Sequence, residues 1–216
     1  MDIWEAYSLA NIIFLLRGLL VTLQVALISI ILSFFIGSLI GIIRYVNIKL
    51  LSPLLMFVIE IIRNLPILLI IFFTYFALPE VGIKLSTVNA AIVALTLFHS
   101  AMFSEVVRSG LKSIEKGQKE AALSTGLNTF QTLWHIIIPQ GFRRMVPPIV
   151  SQFITLVKDT SLAVIISLPE LTRSSQIIYG QSYNYFIPII ILVALTYFLI
   201  NYSLSLLSKK LELKQI

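Results

Sequence analysis

The stretch LLVTLQVALISIILSFFIGSLIGII, residues 19–43, decides the fold class of this chain. It contains no charged side chain along its whole length. About 20 predominantly apolar residues in a helix are enough to cross the roughly 30 Å hydrocarbon core of a bilayer. The stretch therefore predicts a membrane-spanning helix, and the rest of the chain has to be read as part of a membrane protein.

The composition agrees with that prediction. Of the 216 residues, 58% are hydrophobic and 12% are charged, and mean hydropathy is +0.97. Soluble domains carry about 45–50% apolar and about 25% charged residues. A soluble enzyme is therefore excluded, and the absence of cysteine excludes a thiol nucleophile and a thiolate metal site.

Four more apolar runs follow the first one, and all are long enough to span a bilayer with some tilt. They cover about Leu54–Leu78, Val88–Val107, Met145–Leu168 and Phe186–Leu207. We therefore predict an all-α integral membrane protein with five transmembrane helices. Residues 1–17 are expected to form an N-terminal segment, residues 18–207 the transmembrane domain, and residues 208–216 a tail.

Basic residues are distributed unevenly between the predicted loops. The first loop, the third loop and the tail hold most of them, namely Arg44, Lys49, Arg108, Lys112, Lys116, Lys119, Arg143, Arg144, Lys209, Lys210 and Lys214. Because loops rich in Lys and Arg stay in the cytoplasm, we expect these segments inside and the N-terminus outside. The net charge of +6 then reflects cytoplasmic loops, and no nucleic-acid partner is expected.

The first span carries a ridge of small residues, Ser29, Ser33, Gly37 and Gly41, at four-residue spacing. Such a ridge lets another helix approach closely. Packing against a neighbouring helix of the same chain is favoured over a seam with a second copy, and both interpretations stay open at this point.

Residues 110–142, between the third and fourth spans, predict two short helices. The first covers about Gln118 to Thr125 and ends at Gly126, a residue suited to a left-handed cap. Asn128 and Gln131 form a capping-box pattern that opens the second helix, which is expected to end before Pro139. Either this hairpin inserts into a groove of another protein, or it simply connects two spans.

The motif Glu120-Ala121-Ala122, followed by Gly126 and then by Ile136 and Pro139, resembles the EAA motif of the membrane subunits of bacterial ABC importers. Further motifs resemble the polar-amino-acid branch of that family and cover most of residues 18–207. They are Arg63-Asn64-Leu65-Pro66, Ser104-Glu105-Val106-Val107-Arg108, Gly117-Gln118, Pro139-Gln140, Pro147-Pro148 and Lys158-Asp159-Thr160-Ser161-Leu162. Asn64 departs from the small residues, such as Gly, found in many members.

The resemblance implies a permease in the cytoplasmic (inner) membrane of a prokaryote that carries polar amino acids by alternating access, with basic amino acids among the candidates. Coupling to an ABC ATPase is expected through Glu120, Ala121, Ala122, Gly126 and Pro139. The expected partners are that ATPase, a second permease copy or paralogue, an extracytoplasmic substrate-binding protein, the amino acid and lipid. No cofactor is expected on this chain, because ATP and Mg²⁺ bind the ATPase.

Several charged side chains interrupt the apolar runs, where an unpaired charge costs about 2.5–3.5 kcal/mol. Glu60 can pair with Arg63, and Glu105 with Arg108, because each pair is separated by three residues. Pro66 lacks an N–H group and is expected to free the carbonyl of Ile62.

The run Lys158-Asp159-Thr160-Ser161 is expected to break the fourth span and to expose amide groups that attract a carboxylate. Our hypothesis is one amino-acid pocket, with Asp159 at the α-ammonium group, Thr160 and Ser161 at the α-carboxylate, and Lys158 beside them. The side-chain end of the pocket is assigned to Asn64, Ile67, Ser100 and Glu105. The alternative is an internal Lys158–Asp159 salt bridge at a bend, without a ligand.

Enzymatic functions find little support in the sequence. The two histidines, His99 and His135, are too far apart for a His-Glu-x-x-His metal pair, and His99 is expected to be a core residue with a hydrogen bond. No phosphate-binding loop is present, so ATP must be hydrolysed elsewhere. An ion-driven secondary transporter or a channel subunit is the remaining alternative, although no internal repeat supports it.

Overall fold

A computed structural model describes residues 3–213, and within them the chain forms α-helices joined by short turns and no strands. The α-helices are α1 (Ile3–Ala6), α2 (Leu9–Val46), α3 (Leu51–Asn64), α4 (Ile67–Phe76), α5 (Thr87–Lys112), α6 (Lys116–Ser124), α7 (Thr129–Thr132), α8 (Ile138–Asp159), α9 (Leu171–Tyr179) and α10 (Phe186–Leu213). A π-helical turn covers Leu133–Ile137, and 3-10 segments cover Leu78–Val81, Thr160–Ile166 and Tyr183–Tyr185.

Four helical stretches are long and apolar enough to cross a membrane. They cover Leu9–Val46, Thr87–Lys112, Thr129–Ile166 and Tyr183–Leu207. The pair α3 and α4 makes a fifth if it is counted as one span bent by 99°. The structure thus confirms an all-α membrane protein, and the five apolar runs of the sequence correspond to these five segments.

The first and last long helices extend beyond the apolar runs predicted for them. Helix α2 begins at Leu9, so half of the segment assigned to residues 1–17 belongs to the first long helix. The Ser8 hydroxyl caps that helix by accepting a hydrogen bond from the Asn11 N–H. At the other end, α10 continues through residue 208 to Leu213, and Lys214 lies outside the described residues.

The small-residue ridge packs inside the chain. Its four residues are buried along α2, which crosses α5 at the centre of the molecule. A Cβ atom added to Gly37 would lie 2.5 Å from the Cβ atom of Phe103 and 2.7 Å from the carbonyl oxygen of Ser100. The two backbones therefore come together only because glycine stands there, and the interpretation of the ridge as an internal contact is confirmed.

Helix α6 is followed by a longer helix than the sequence predicts. The capping box of Asn128 and Gln131 is present, but the helix that it opens continues through Pro139 into α8. The expectation that this helix ends before Pro139 is therefore wrong. A π-helical turn precedes Pro139, and in it the Ile138 N–H is bonded to the Leu133 carbonyl. Pro139, which has no N–H group, therefore lies where the π-helical hydrogen-bond pattern changes to the α-helical one.

The apolar core and the apolar surface are both extensive. One core cluster joins α2, α4, α5 and the 3-10 segment around Val25, Ile71, Leu95 and Ile166. Large apolar side chains such as Phe35 also cover the outside of the long helices. An apolar exterior on long helices is the surface that hydrocarbon tails solvate.

Candidate functional site

The two interruptions predicted from the sequence meet in the structure. The bend at Leu65-Pro66 turns α4 toward the 3-10 segment that follows Asp159. Ile70 and Ile71 of α4 share a core cluster with Ala163 and Ile166, and Ile67 packs against the same cluster. The irregular backbone of two separate spans is thus brought to one place inside the helix bundle.

Asp159 lies at this junction and pairs with a buried histidine. Its Oδ2 atom is 3.2 Å from the Nε2 atom of His99, whose side chain is fully buried, while the Asp159 side chain remains 20% exposed. Lys158 is exposed and has no ion pair among the residues that the structure describes. The alternative of a Lys158–Asp159 salt bridge is therefore wrong, because Asp159 turns toward α5.

After Asp159 the backbone changes from an α-helix to a 3-10 helix, and its hydrogen bonds continue through this change. The N–H of Thr160 is bonded to the Leu156 carbonyl, and the buried Thr160 hydroxyl donates to the Val157 carbonyl at 2.7 Å. The Ser161 hydroxyl donates to the Lys158 carbonyl at 2.7 Å. The Thr160 amide is thus already satisfied, contrary to the expectation of a free amide there, and the half-buried Ser161 is the more accessible of the two side chains.

The bend at Pro66 differs from the expected geometry. The Ile62 carbonyl accepts the Leu65 N–H at 3.3 Å, so the prediction that this carbonyl is free is wrong. Asn64 is exposed, and its side-chain amide donates to the Glu60 carbonyl at 2.8 Å. Because the helix turns by 99° between Asn64 and Ile67, the two residues end one helix and begin the next, and the predicted shared face does not exist.

Glu105 is surrounded by three arginines from three different helices. Arg44 of α2 lies 3.1 Å from its Oε2 atom and Arg63 of α3 lies 3.8 Å from the same atom. The predicted pair with Arg108 on its own helix α5 is confirmed. Arg63 therefore pairs with Glu105, and the expected Glu60–Arg63 pair is wrong.

Ser100 is buried on the side of α5 that faces α2 and α3. Its hydroxyl has no hydrogen-bond partner within the described residues, and it borders an apolar cavity of about 330 Å³. Thr96, one turn away, lines the same cavity and has an equally unpartnered hydroxyl. The side chains of Ser100 and its neighbour His99 therefore point in different directions, because His99 faces Asp159.

The predicted coupling residues form an exposed corner. Glu120 and Ala121 are exposed on α6, while Ala122 is buried. Gly126 ends this corner in the left-handed region, with φ +93°. Pro139 is exposed near the start of α8.

A cavity of about 520 Å³ lies beside this corner, bordered by Lys116, Lys119 and Glu120 and by the ends of α2 and α5. Two exposed rings, Phe130 of α7 and Trp134 of the π-helical turn, stack on each other with their centroids 6.5 Å apart. An exposed apolar surface of this kind is typical of a protein-docking site.

One buried acidic residue was missed by sequence reasoning. Glu170 is fully buried and caps α9, where its carboxylate accepts the N–H groups of Thr172 and Arg173 at 2.8 and 2.7 Å. The Tyr197 hydroxyl of α10 donates to the same carboxylate at 3.1 Å. The only local signal was an acidic residue directly before a short amphipathic helix, and Glu is not one of the usual N-cap residues, which are Asp, Asn, Ser and Thr.

Comparisons with known proteins identify the family. The model of the family described as binding-protein-dependent transport system inner membrane component matches residues 33–214. The chain belongs to this family. A probable glutamine ABC transporter permease, GlnP, of Bacillus subtilis is 62% identical over the full length of both chains. The arginine transport system permease ArtQ of the same organism is 31% identical over 96% of this chain and 94% of its own.

Solved structures agree with this assignment. The permease superposes with a TM-score of 0.86 on a chain of an amino acid ABC transporter crystallised with histidines, at 29% identity over 93% of this chain and 94% of the other. The MetNI methionine transporter in an inward-facing conformation gives a TM-score of 0.78 at 21% identity, which shows the common fold. The permease is therefore a membrane component of an ABC importer, as its EAA-like motif predicts.

Proposed function

We propose that this permease carries a neutral polar amino acid into the cell, with glutamine as its first candidate substrate, and that Asp159 binds the substrate. The observation that carries the proposal is the position of Asp159, a partly exposed carboxylate where the irregular segments of two spans meet. Functional ionisable groups within a membrane face the protein interior or a water-filled path, as this one does.

In the proposed site, Asp159 binds the α-ammonium group in place of its pairing with His99. Lys158 and Ser161 lie next to it in the chain and are exposed or half-buried, so they are assigned to the α-carboxylate. Thr160 keeps its bond to the Val157 carbonyl and holds the 3-10 turn in place. Ile67, which packs against the 3-10 segment, is assigned to the side-chain end, with Asn64 at the bend before it. Ser100 is left out of the site, because it faces the apolar cavity between α2, α3 and α5.

The charge of the neighbouring cluster favours an amide over a basic substrate. Glu105 alone would attract a cationic side chain, but Arg44, Arg63 and Arg108 surround it. Three guanidinium groups and one carboxylate leave an excess of positive charge, which repels lysine or arginine. This argument agrees with the glutamine named for the 62% identical relative.

Substrate uptake tests both parts of the proposal. The permease is reconstituted in proteoliposomes with its ATPase and binding protein, and glutamine uptake is measured with ATP inside and unlabelled competitors outside. We expect glutamine to compete at least tenfold better than arginine. Uptake that proceeds without the ATPase would indicate an ion-driven transporter or a channel.

Two substitutions test the residues of the site. Asp159→Ala is expected to lower uptake more than tenfold and Ser161→Ala several-fold, while the complex still assembles, because each removes a direct substrate contact. Glu80→Ala is the matched control, since Glu80 is an exposed acidic residue in the turn after α4. Unchanged affinity and rate in Asp159→Ala would contradict the substrate site.

The proposed importer also requires an orientation and partners. The basic corner around α6 is assigned to the cytoplasm, where Glu120, Ala121 and the exposed rings of Phe130 and Trp134 dock on an ATPase that binds ATP and Mg²⁺. A second permease copy or paralogue completes the membrane part, and an extracytoplasmic binding protein delivers the amino acid. The family and the exposed corner support these proposed partners.

The absence of native cysteine allows a direct test of the orientation. Single cysteines replace Ser124 at the end of α6 or Ser182 between α9 and α10. A membrane-impermeant maleimide added to intact cells is expected to label the Ser182→Cys permease and to leave Ser124→Cys unlabelled until the membrane is opened. Labelling of Ser124→Cys in intact cells would contradict the assignment of α6 to the cytoplasm.

A further inference from the structure

A basic cavity lies between the ends of α2, α3 and α5. It has a volume of about 380 Å³ and is bordered by Arg44, Asn47, Ser52, Met56, Arg108 and Lys112. The Asn47 backbone, with φ 63°, turns the chain from α2 toward α3, and the Ser52 hydroxyl donates back to the Ile43 carbonyl at 3.1 Å. These contacts hold the ends of α2 and α3 together on one side of the cavity.

The charges around this cavity are unbalanced. Arg44 and Arg108 share the single carboxylate of Glu105. Lys112, one turn beyond Arg108, is exposed and has no ion pair among the residues that the structure describes. Because three cations share one carboxylate, the cavity has an excess of positive charge and can bind an anion. Arginine suits phosphate because its planar group donates two parallel hydrogen bonds.

An apolar cavity of about 330 Å³ lies on the same three helices, farther from their basic ends. Ile36, Ile40, Leu55, Val58, Val93 and Leu97 are among its lining residues. Ile40 lies one helical turn from Arg44, and Leu55 is the neighbour of Met56, so the two cavities lie next to each other along α2 and α3. We call the two adjacent cavities together the groove. It has a cationic end beside the ends of the helices and an apolar end farther along them.

We propose that this groove is a binding site for an anionic phospholipid of the cytoplasmic leaflet, with its phosphate on Arg108 and Lys112 and an acyl chain between α2, α3 and α5. Basic pockets between helices on the cytoplasmic side bind anionic headgroups, and the apolar cavity matches a hydrocarbon chain. A soluble anion would use only the first cavity. The proposal rests on the orientation proposed above, which places the basic ends of these helices in the cytoplasm.

Lipid titration of the purified permease–ATPase complex tests this site. The complex is delipidated, titrated with phosphatidylglycerol or phosphatidylcholine, and bound lipid is counted by native mass spectrometry. We expect phosphatidylglycerol to bind in preference to phosphatidylcholine. Lys112→Gln is expected to weaken phosphatidylglycerol binding about fivefold, from about 1 kcal/mol per basic residue. Its control is Lys49→Gln, which removes an equal charge from the neighbouring loop outside the cavity lining.

The apolar end has its own pair of variants. Val58→Trp fills the cavity and is expected to reduce phosphatidylglycerol binding, while Leu54→Trp places the same ring on an exposed position of α3. Equal binding of both lipids, an unchanged affinity in Lys112→Gln, or equal effects of the two tryptophans would overturn the proposal. Displacement of the lipid by millimolar glycerol 3-phosphate would overturn it in favour of a soluble-anion site.

Glutamine uptake measured on the same preparations separates this proposal from the proposed function. If the wild-type complex takes up glutamine but shows no preference for phosphatidylglycerol, the lipid site alone is refuted. If it shows the lipid preference but takes up no glutamine, the transport assignment alone is refuted.

Discussion

Glu170 shows how a single buried residue can connect three helices of this permease. It caps α9, receives the Tyr197 hydroxyl from α10, and precedes Leu171, whose N–H donates to the Thr22 hydroxyl of α2 at 3.1 Å. Burial raises the pKa of Glu170, although the N–H groups of Thr172 and Arg173 act in the opposite direction. The protonated form is therefore stabilised in the folded chain relative to the unfolded chain.

A raised pKa predicts a pH-dependent stability with a definite sign. The folded chain holds a proton on Glu170 at pH values where the unfolded chain has already released it, so stability falls as pH rises through the folded-state pKa. We expect the melting temperature of the purified complex to decrease more steeply between pH 5 and pH 8 in the wild type than in Glu170→Gln. Parallel pH profiles for the two proteins would show that Glu170 does not contribute.

At the residue scale, sequence reasoning identified the polar groups but not their partners. The Glu105–Arg108 pair was predictable because both residues lie on one helix at a fixed spacing. The His99–Asp159 pair and the contact of Arg63 with Glu105 were not, because each joins separate helices whose rotation and bend no local pattern determines. Apolar periodicity carries no such information when almost every face of a helix is apolar.

At the scale of elements, the crossing of α2 and α5 depends on glycine. A Cβ atom at Gly37 would overlap Phe103 and the Ser100 carbonyl, so Gly37→Ala is expected to destabilise the permease by about 1–3 kcal/mol. Gly117→Ala is the matched control, because no atom lies within 4 Å of its added Cβ and alanine favours a helix by about 1 kcal/mol.

Melting temperatures in detergent are expected to move in opposite directions for these two variants. An equally stable Gly37→Ala protein would show that the helices can separate at this crossing without cost.

The helix ends that could be predicted from the sequence were those determined by neighbouring residues in the chain. The capping box at Asn128 and the left-handed Gly126 were both expected, since each depends on residues within one turn. The continuation of this helix through Pro139 was not expected, because it uses a π-helical turn whose Ile137 packs against Leu111 and Met145, contacts that no local pattern indicates. The 99° bend at Pro66 was likewise larger than a proline alone requires.

At the scale of the whole molecule, the proposed function requires the corner around α6 to pass the movement of a docked ATPase to the membrane helices. The buried Ala122 and the hydrogen bond between the side chains of Gln118 and Gln140 attach α6 to the helix that becomes the fourth span. That stretch is helical from Thr129 to Asp159, with a π-helical turn at Leu133–Ile137, and it leads into the 3-10 segment that follows Asp159. If an ATPase docks here as proposed, we expect its displacement of α6 to reach the proposed substrate site along these helical segments.

Gly126 is the position at which we expect a substitution to disrupt the proposed transmission most easily. Its φ of +93° is unfavourable for a side chain, so Gly126→Val is expected to change the angle between α6 and the long helix. We expect the ATPase to remain bound and to hydrolyse ATP at its basal rate, while stimulation by substrate-loaded binding protein falls at least fivefold. Gly82→Val is the matched control, because Gly82 has φ +89° and open space around it, in the turn between α4 and α5. Both variants carry similar backbone strain, so a loss of stimulation in both would indicate general destabilisation, and normal stimulation in Gly126→Val would remove α6 from the coupling mechanism.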